Sequence, residues 1–171
     1  MHSQGEIVRT REGLLTLIAE LNGNLAELMR LDELNRRAWD RFSSGANDLL
    51  DLAALAFTIH GIYGVVENSF LRVSKFFENN LPPDAWHKAL VERMALEIPG
   101  LRPAFLSETT DRKRVMELLK FRHRFRNLYG EDLDVTKTLA VQQMTRALLE
   151  RLPGIYSEYC EKLRLIAEQL A

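Results

Sequence analysis

Residues 121–130 read FRHRFRNLYG. Half of these side chains are arginine, histidine or asparagine, set among two phenylalanines and a tyrosine. On a helix, Arg122, Arg126 and Tyr129 fall at i, i+4 and i+7 and share one face. His123 and Asn127 are also i and i+4, on a neighbouring strip. Two guanidiniums, a phenol and an amide could therefore converge at one helix end, and guanidinium forks suit phosphate. The plain alternative is a solvated helix end, where cations complement the helix dipole. Composition alone does not name a reaction.

The stretch belongs to a wider asymmetry. Arg112, Lys113, Arg114, Lys120, Arg122, Arg124 and Arg126 lie within 15 residues, with Glu117 as the only acid among them. The whole chain of 171 residues has a formal net charge of −1, so any affinity for nucleic acid must come from this local patch. A second group of chemically able residues lies upstream. His60, Tyr63 and Glu67 stand at i, i+3 and i+7 in an otherwise apolar segment. A buried carboxylate needs a cation, and Arg122 or Arg126 could supply one to Glu67. A satisfied polar network or a surface strip is the plain reading. His60 and Glu67 make no metal site, because spacing places no third ligand. His87, beside Trp86 at a helix start, reads as a surface residue.

The elements that must position these groups are helical almost throughout. Leu14, Ile18, Leu21, Leu25 and Leu28 recur at steps of four and three and mark a helix continuing to about Trp39. SSGAND (43–48) breaks the pattern and offers Ser43, Ser44 or Asn47 as an N-cap. A second helix is expected from about Asn47 to Glu78. Leu52, Leu55, Ile59, Ile62, Val66, Phe70, Val73 and Phe77 make its apolar face wide enough for a central element. NNLPPD (79–84) stops it, and Pro82 and Pro83 permit a new start. Trp86, Leu90 and Met94 give the next helix a short stripe. After the loop IPGLRPAFL (98–106), Ser107 or Thr109 can cap the basic helix, which ends near Tyr129 with Gly130 as a left-handed C-cap. Asp132 or Asp134 caps the last helix, with Leu148, Leu152, Ile155, Tyr159, Leu163 and Ile166 on one face. Pro153 and Gly154 are expected to kink or briefly interrupt it.

These patterns predict an all-α bundle of four to five long helices in one domain spanning residues 1–171. The single cysteine, Cys160, forms no intrachain disulfide and no cysteine-based zinc motif. The start of the chain lacks the apolar core of a signal peptide. The apolar run LLDLAALAFTI (49–59) is short for a bilayer and contains Asp51. A cytoplasmic protein with no membrane partner is the expectation.

The segment KFRHRFRNLYGEDLD (120–134) resembles the active-site segment of HEPN-domain ribonuclease toxins, in particular the HepT-like group. Their motif is Arg-x4-His-x-Tyr, often with a polar residue after the arginine. Arg122 matches the arginine, His123 the polar position and Tyr129 the tyrosine, while Asn127 stands at the histidine position. IHGIYGVVENSFLRV (59–73), LPPDAWHKALVERMA (81–95) and IPGLRPAFLS (98–107) resemble segments of the same group in the same order. The resemblance covers roughly residues 47–135.

It implies a HEPN-type bundle that forms a homodimer with the motif helices meeting across the interface. It also implies metal-independent RNA cleavage with the ribose 2′-hydroxyl as nucleophile and no cofactor. Arg122 would hold the phosphate, with His123, Arg124 and Arg126 holding RNA. The residue at 127 would move protons. His60 and Glu67 could support the arginines. The group's partner is a minimal nucleotidyltransferase antitoxin that transfers AMP from ATP to the motif tyrosine, here Tyr129.

Asn127 departs from the pattern, because a carboxamide does not titrate in the useful range. The substitution could be engineered to silence a toxic nuclease, or natural in a non-catalytic member, or covered by His123. The first is preferred because the rest of the motif is intact. The third would misplace the imidazole by a full helical turn. The alternative to a nuclease is a non-catalytic helical module that binds RNA or a nucleotidyltransferase.

Overall fold

The computed structural model describes residues 3–45, 48–78, 86–127 and 133–170, with the backbone alone for residues 3–9. Five helices follow one another: α1 (Ser3–Ser43), α2 (Leu49–Phe77), α3 (Trp86–Met94), α4 (Thr109–Arg126) and α5 (Val135–Gln169). Among the described residues there is no strand, only an isolated bridge between Ile98 and Arg102. The expected all-α bundle is therefore observed, with four long helices and one short one.

α2 is the central element and packs against all four other helices. Its wide apolar face explains why. Leu52 is buried, and Leu55, Ile59, Ile62, Val66, Phe70 and Val73 are buried in one cluster with Leu14, Leu21 and Leu28 of α1, Val115 and Leu118 of α4, and Leu148 and Leu152 of α5. Truncating any one of these to alanine costs roughly 2–5 kcal/mol. By length and composition α2 is also a helix that could cross a membrane, which the run 49–59 alone did not suggest. Half of its most apolar window is buried inside the bundle, as expected of a core helix, and the buried Asp51 and Glu67 lie on it.

Helix ends differ from the sequence expectations in detail. The N-cap of α2 is Asp48, whose carboxylate accepts from the backbone N–H of Leu50 and Asp51. Ser43 and Ser44 instead finish α1, their hydroxyls donating to the Trp39 and Arg41 carbonyls. Asn47 lies outside the described residues, as does the whole of the expected stop at 79–84. Glu108 precedes α4 without a side-chain cap bond, so neither Ser107 nor Thr109 takes that position. Asp134 caps α5 by accepting from Lys137 N at 2.9 Å. α5 runs unbroken through Pro153, so of the kink or interruption expected there the interruption does not occur. Tyr156 and Tyr159, buried just beyond it, tie that part of the helix to Phe105, at ring distances of 5.1 and 4.4 Å. This packing compensates for the backbone bond that proline cannot make.

α4 is held from three sides, by α2, α3 and α5. Val115, Leu118, Leu119 and Phe121 supply its buried face. Its N-terminal turn is fixed by Asp111, a buried acid that accepts from Arg114 at 3.0 Å and from Arg151 of α5 at 2.9 Å. The short α3 lies against α2 and α4, and this brings its first residues to the basic end of α4.

Candidate functional site

Glu67 is the centre of the site. It is 5% exposed and faces outward from the middle of α2 toward the last turn of α4. The Tyr63 hydroxyl, one turn earlier, donates to its Oε2 at 2.7 Å. His87 Nδ1, from the start of α3, lies 2.6 Å from the same oxygen. Arg122 Nη1 lies 3.5 Å from Oε1. An ionised carboxylate only accepts, so Nδ1 of His87 carries the proton in this bond. Arg122 Nη1 is also 3.5 Å from His87 Nδ1, a close approach of two donors to one carboxylate.

The rings around this centre fix its shape. Trp86 stacks on His87 at 3.7 Å, and His123 meets His87 edge-on at 5.6 Å. The Arg122 guanidinium sits 5.6 Å from the centre of the Tyr63 ring, within cation–π range. On the other side, His60 packs against Phe125 at 5.5 Å, and Phe125 stacks on Phe121. The expectation that Glu67 needs a cation is met by Arg122. Arg126 is instead exposed and, with Arg124, pairs with no carboxylate among the described residues.

Electrostatics follow from this packing. Burial and the neighbouring Glu67 carboxylate push the Tyr63 phenol well above its ordinary range, so it stays a committed donor. Desolvation, together with the charges of Arg122 and Arg126, lowers His60 below the usual imidazole value. His123 is lowered as well, first by desolvation and then by His87 and Arg122. Both are therefore neutral near pH 7. Two donors or acceptors are left over: Arg122 Nε and His60 Nε2 are buried without a hydrogen-bond partner. A buried guanidinium donor without an acceptor is costly, and an unmet donor of this kind points to a bound anion.

Asn127 terminates α4. Its backbone leaves the helical region at φ −104°, ψ 13°, and its N–H bonds to the Arg124 carbonyl. Its side chain is exposed. Tyr129, and the proposed cap Gly130, lie outside the described residues.

A family model described as HepT-like protein matches residues 54–163, well over half of the chain. This chain belongs to the HepT-like family. No curated protein and no solved structure matches it. The matched range of this HepT-like chain contains Glu67, His87, Arg122 and Asn127 together. Residue types and spacing left Arg122 and Arg126 open as the cation for Glu67 and marked His87 as a surface residue. Its ring is only partly exposed, at 20%, and it is bonded to the buried acid. It lies 20 residues from Glu67 and 35 from Arg122. No helical spacing rule connects residues so far apart in the chain.

Proposed function

We propose that this HepT-like chain is the toxin of a toxin–antitoxin pair and acts on RNA. Arg122 holds the scissile phosphate. Arg124, Arg126 and His123 hold flanking RNA, with Glu67 and His60 supporting the arginines. Position 127 is the family's proton-transfer position, occupied here by an amide. Tyr129 is the residue that a minimal nucleotidyltransferase antitoxin modifies with AMP. A phosphate and adenosine added beside Arg122 would put negative charge and bulk where RNA must bind. The active unit is a homodimer in the cytoplasm, with the end of α4 at the interface. The family membership supports the toxin context.

The observation that carries the RNA reading is the state of Arg122. Its guanidinium is aimed by Glu67 and Tyr63 yet keeps a buried donor free, next to two exposed arginines without carboxylate partners. The test is binding of a single-stranded oligoribonucleotide across a salt series. Arg122→Ala should weaken binding by about 10- to 100-fold. Arg124→Ala with Arg126→Ala should flatten the salt dependence. An Arg122→Ala chain that binds as the unsubstituted one does would remove this reading. For Tyr129, incubation with the cognate antitoxin and ATP should add the mass of one AMP or more, and Tyr129→Phe should abolish the addition.

A second reading is favoured by Asn127 alone: a module that binds RNA or its nucleotidyltransferase without cleaving. Arg122-dependent binding with no cleavage in any variant would select it.

A further inference from the structure

We infer that Glu67 and His87 form a carboxylate–imidazole pair that performs proton transfer at the Arg122 phosphate site in this chain. The inference rests on the reading of that site as an RNA-phosphate site. It departs from the expectation that Asn127 leaves the protein without a proton-transfer group.

Four features of the geometry carry it. The Glu67–His87 bond is short, at 2.6 Å, and the acid in it is buried. With Nδ1–H committed to Oε2, the neutral ring carries its lone pair on Nε2. That nitrogen has no hydrogen-bond partner among the described residues. The ring is held by more than this one bond: Trp86 stacks on one side and His123 abuts it edge-on. Finally, Arg122 Nη1 is 3.5 Å from Nδ1 of the same ring, which brings the guanidinium and the imidazole side by side at the phosphate site. A base oriented by a buried acid, next to a cation that neutralises developing charge, is the arrangement general base catalysis requires.

The charged and titratable groups facing His87 are Glu67 and Tyr63 from α2 and Arg122 and His123 from α4. Tyr63 is held protonated, and desolvation and the Arg122 charge lower His123 below the usual imidazole value. His87 is the imidazole paired with the carboxylate.

In the step itself, His87 Nε2 takes the proton of the ribose 2′-hydroxyl. The 2′-oxygen forms a bond to phosphorus as the bond from phosphorus to the 5′-oxygen breaks. The departing 5′-oxygen takes a proton from water, and the His87 imidazolium returns its proton to solvent. The products are a 2′,3′-cyclic phosphate and a free 5′-hydroxyl. Glu67 is a positioning residue that fixes the tautomer and stabilises the imidazolium.

The experiment uses the full chain and an end-labelled single-stranded oligoribonucleotide, with its all-DNA counterpart as control. The unsubstituted chain should cut the RNA to cyclic-phosphate ends and leave the DNA intact. His87→Asn should slow cleavage by about 100-fold or more while RNA affinity stays within about threefold. Glu67→Gln should lower kcat by about tenfold and leave KM within about threefold. Thermal unfolding is followed for each chain, and His87→Gln replaces His87→Asn if the latter does not fold. Undiminished cleavage by the folded His87 variant overturns the inference, and so does an inert unsubstituted chain that Asn127→His activates. Loss of the Arg122 effect on RNA binding would instead overturn the phosphate-site reading beneath it.

Discussion

Two glutamates, one within α2 and one capping its C-terminus, each hold an arginine, and they do so differently. At the end of α2, Glu78 receives Arg102 Nε at 2.6 Å and Arg93 Nη1 at 3.0 Å. The Arg102 side chain is 0% exposed. Its Nη1 donates to the Leu96 and Pro103 carbonyls and its Nη2 to the Arg93 carbonyl. Each of its nitrogens has a protein acceptor, and together they pin the loop between α3 and α4. At the middle of α2, Glu67 faces Arg122 at 3.5 Å, and no backbone carbonyl accepts from that guanidinium among the described residues. One arginine is consumed by the fold; the other is aimed by it and left with a free donor. Burial of a guanidinium therefore does not distinguish structure from function, whereas the account of its donors does.

Substitutions can break or sharpen this contrast. The largest effect expected is that of Arg102→Ala. It strands Glu78 with only Arg93 and releases three carbonyls, and should cost about 3–5 kcal/mol in urea unfolding. RNA affinity measured where that variant is still folded should be unchanged. A selective loss of RNA binding there would collapse the distinction between the two sites.

Arg122→Ala should show the reverse balance. Tyr63 and His87 continue to donate to Glu67, so the stability loss should stay under about 2 kcal/mol. The loss of RNA affinity should be the larger signal. A destabilisation equal to that of Arg102→Ala would make Arg122 a structural residue.

Asn127→His should leave stability within about 0.5 kcal/mol, because the side chain is exposed at a helix end. If position 127 retains the family's proton-transfer role, cleavage should rise by about tenfold or more. An unchanged rate would remove the idea that asparagine silences this chain, and leave proton transfer to His87.

The smallest effect expected is with pH. His60 and His123 have folded-state values below the ordinary imidazole value. Their contribution to stability is therefore complete above about pH 6.5 and is lost as pH falls through the lowered folded values. Acidification from pH 7.5 to 5 should lower the melting temperature by a few degrees, and His60→Gln should reduce the drop. Hydrogen exchange should show the loosening at the end of α4. The Arg102 cluster, built on no histidine, should show none.

Much of the fold was legible because helices advertise their buried face locally. Leu14, Ile18, Leu21 and Leu28 repeat at helical spacing and are all buried, and the broad face of α2 marked it as central. Helix ends were less legible. Ser43, Ser44, Asn47 and Asp48 are all competent caps, and only the chain's path selects Asp48. Pro153 would stop an isolated helix, yet α5 continues because buried tyrosines hold the far side.

For the candidate site, residue types and spacing alone determined that a basic helix end with Arg122, His123, Arg126 and Asn127 exists, and that Glu67 on an apolar helix requires a cation. Those follow from periodicity and from the cost of an unpaired charge, both local quantities. Only the tertiary structure decided that Arg122 rather than Arg126 is that cation, and that His87 joins it. Such pairings depend on how α2, α3 and α4 cross. Packing of side chains distant in the chain sets that crossing, and sequence spacing does not encode it.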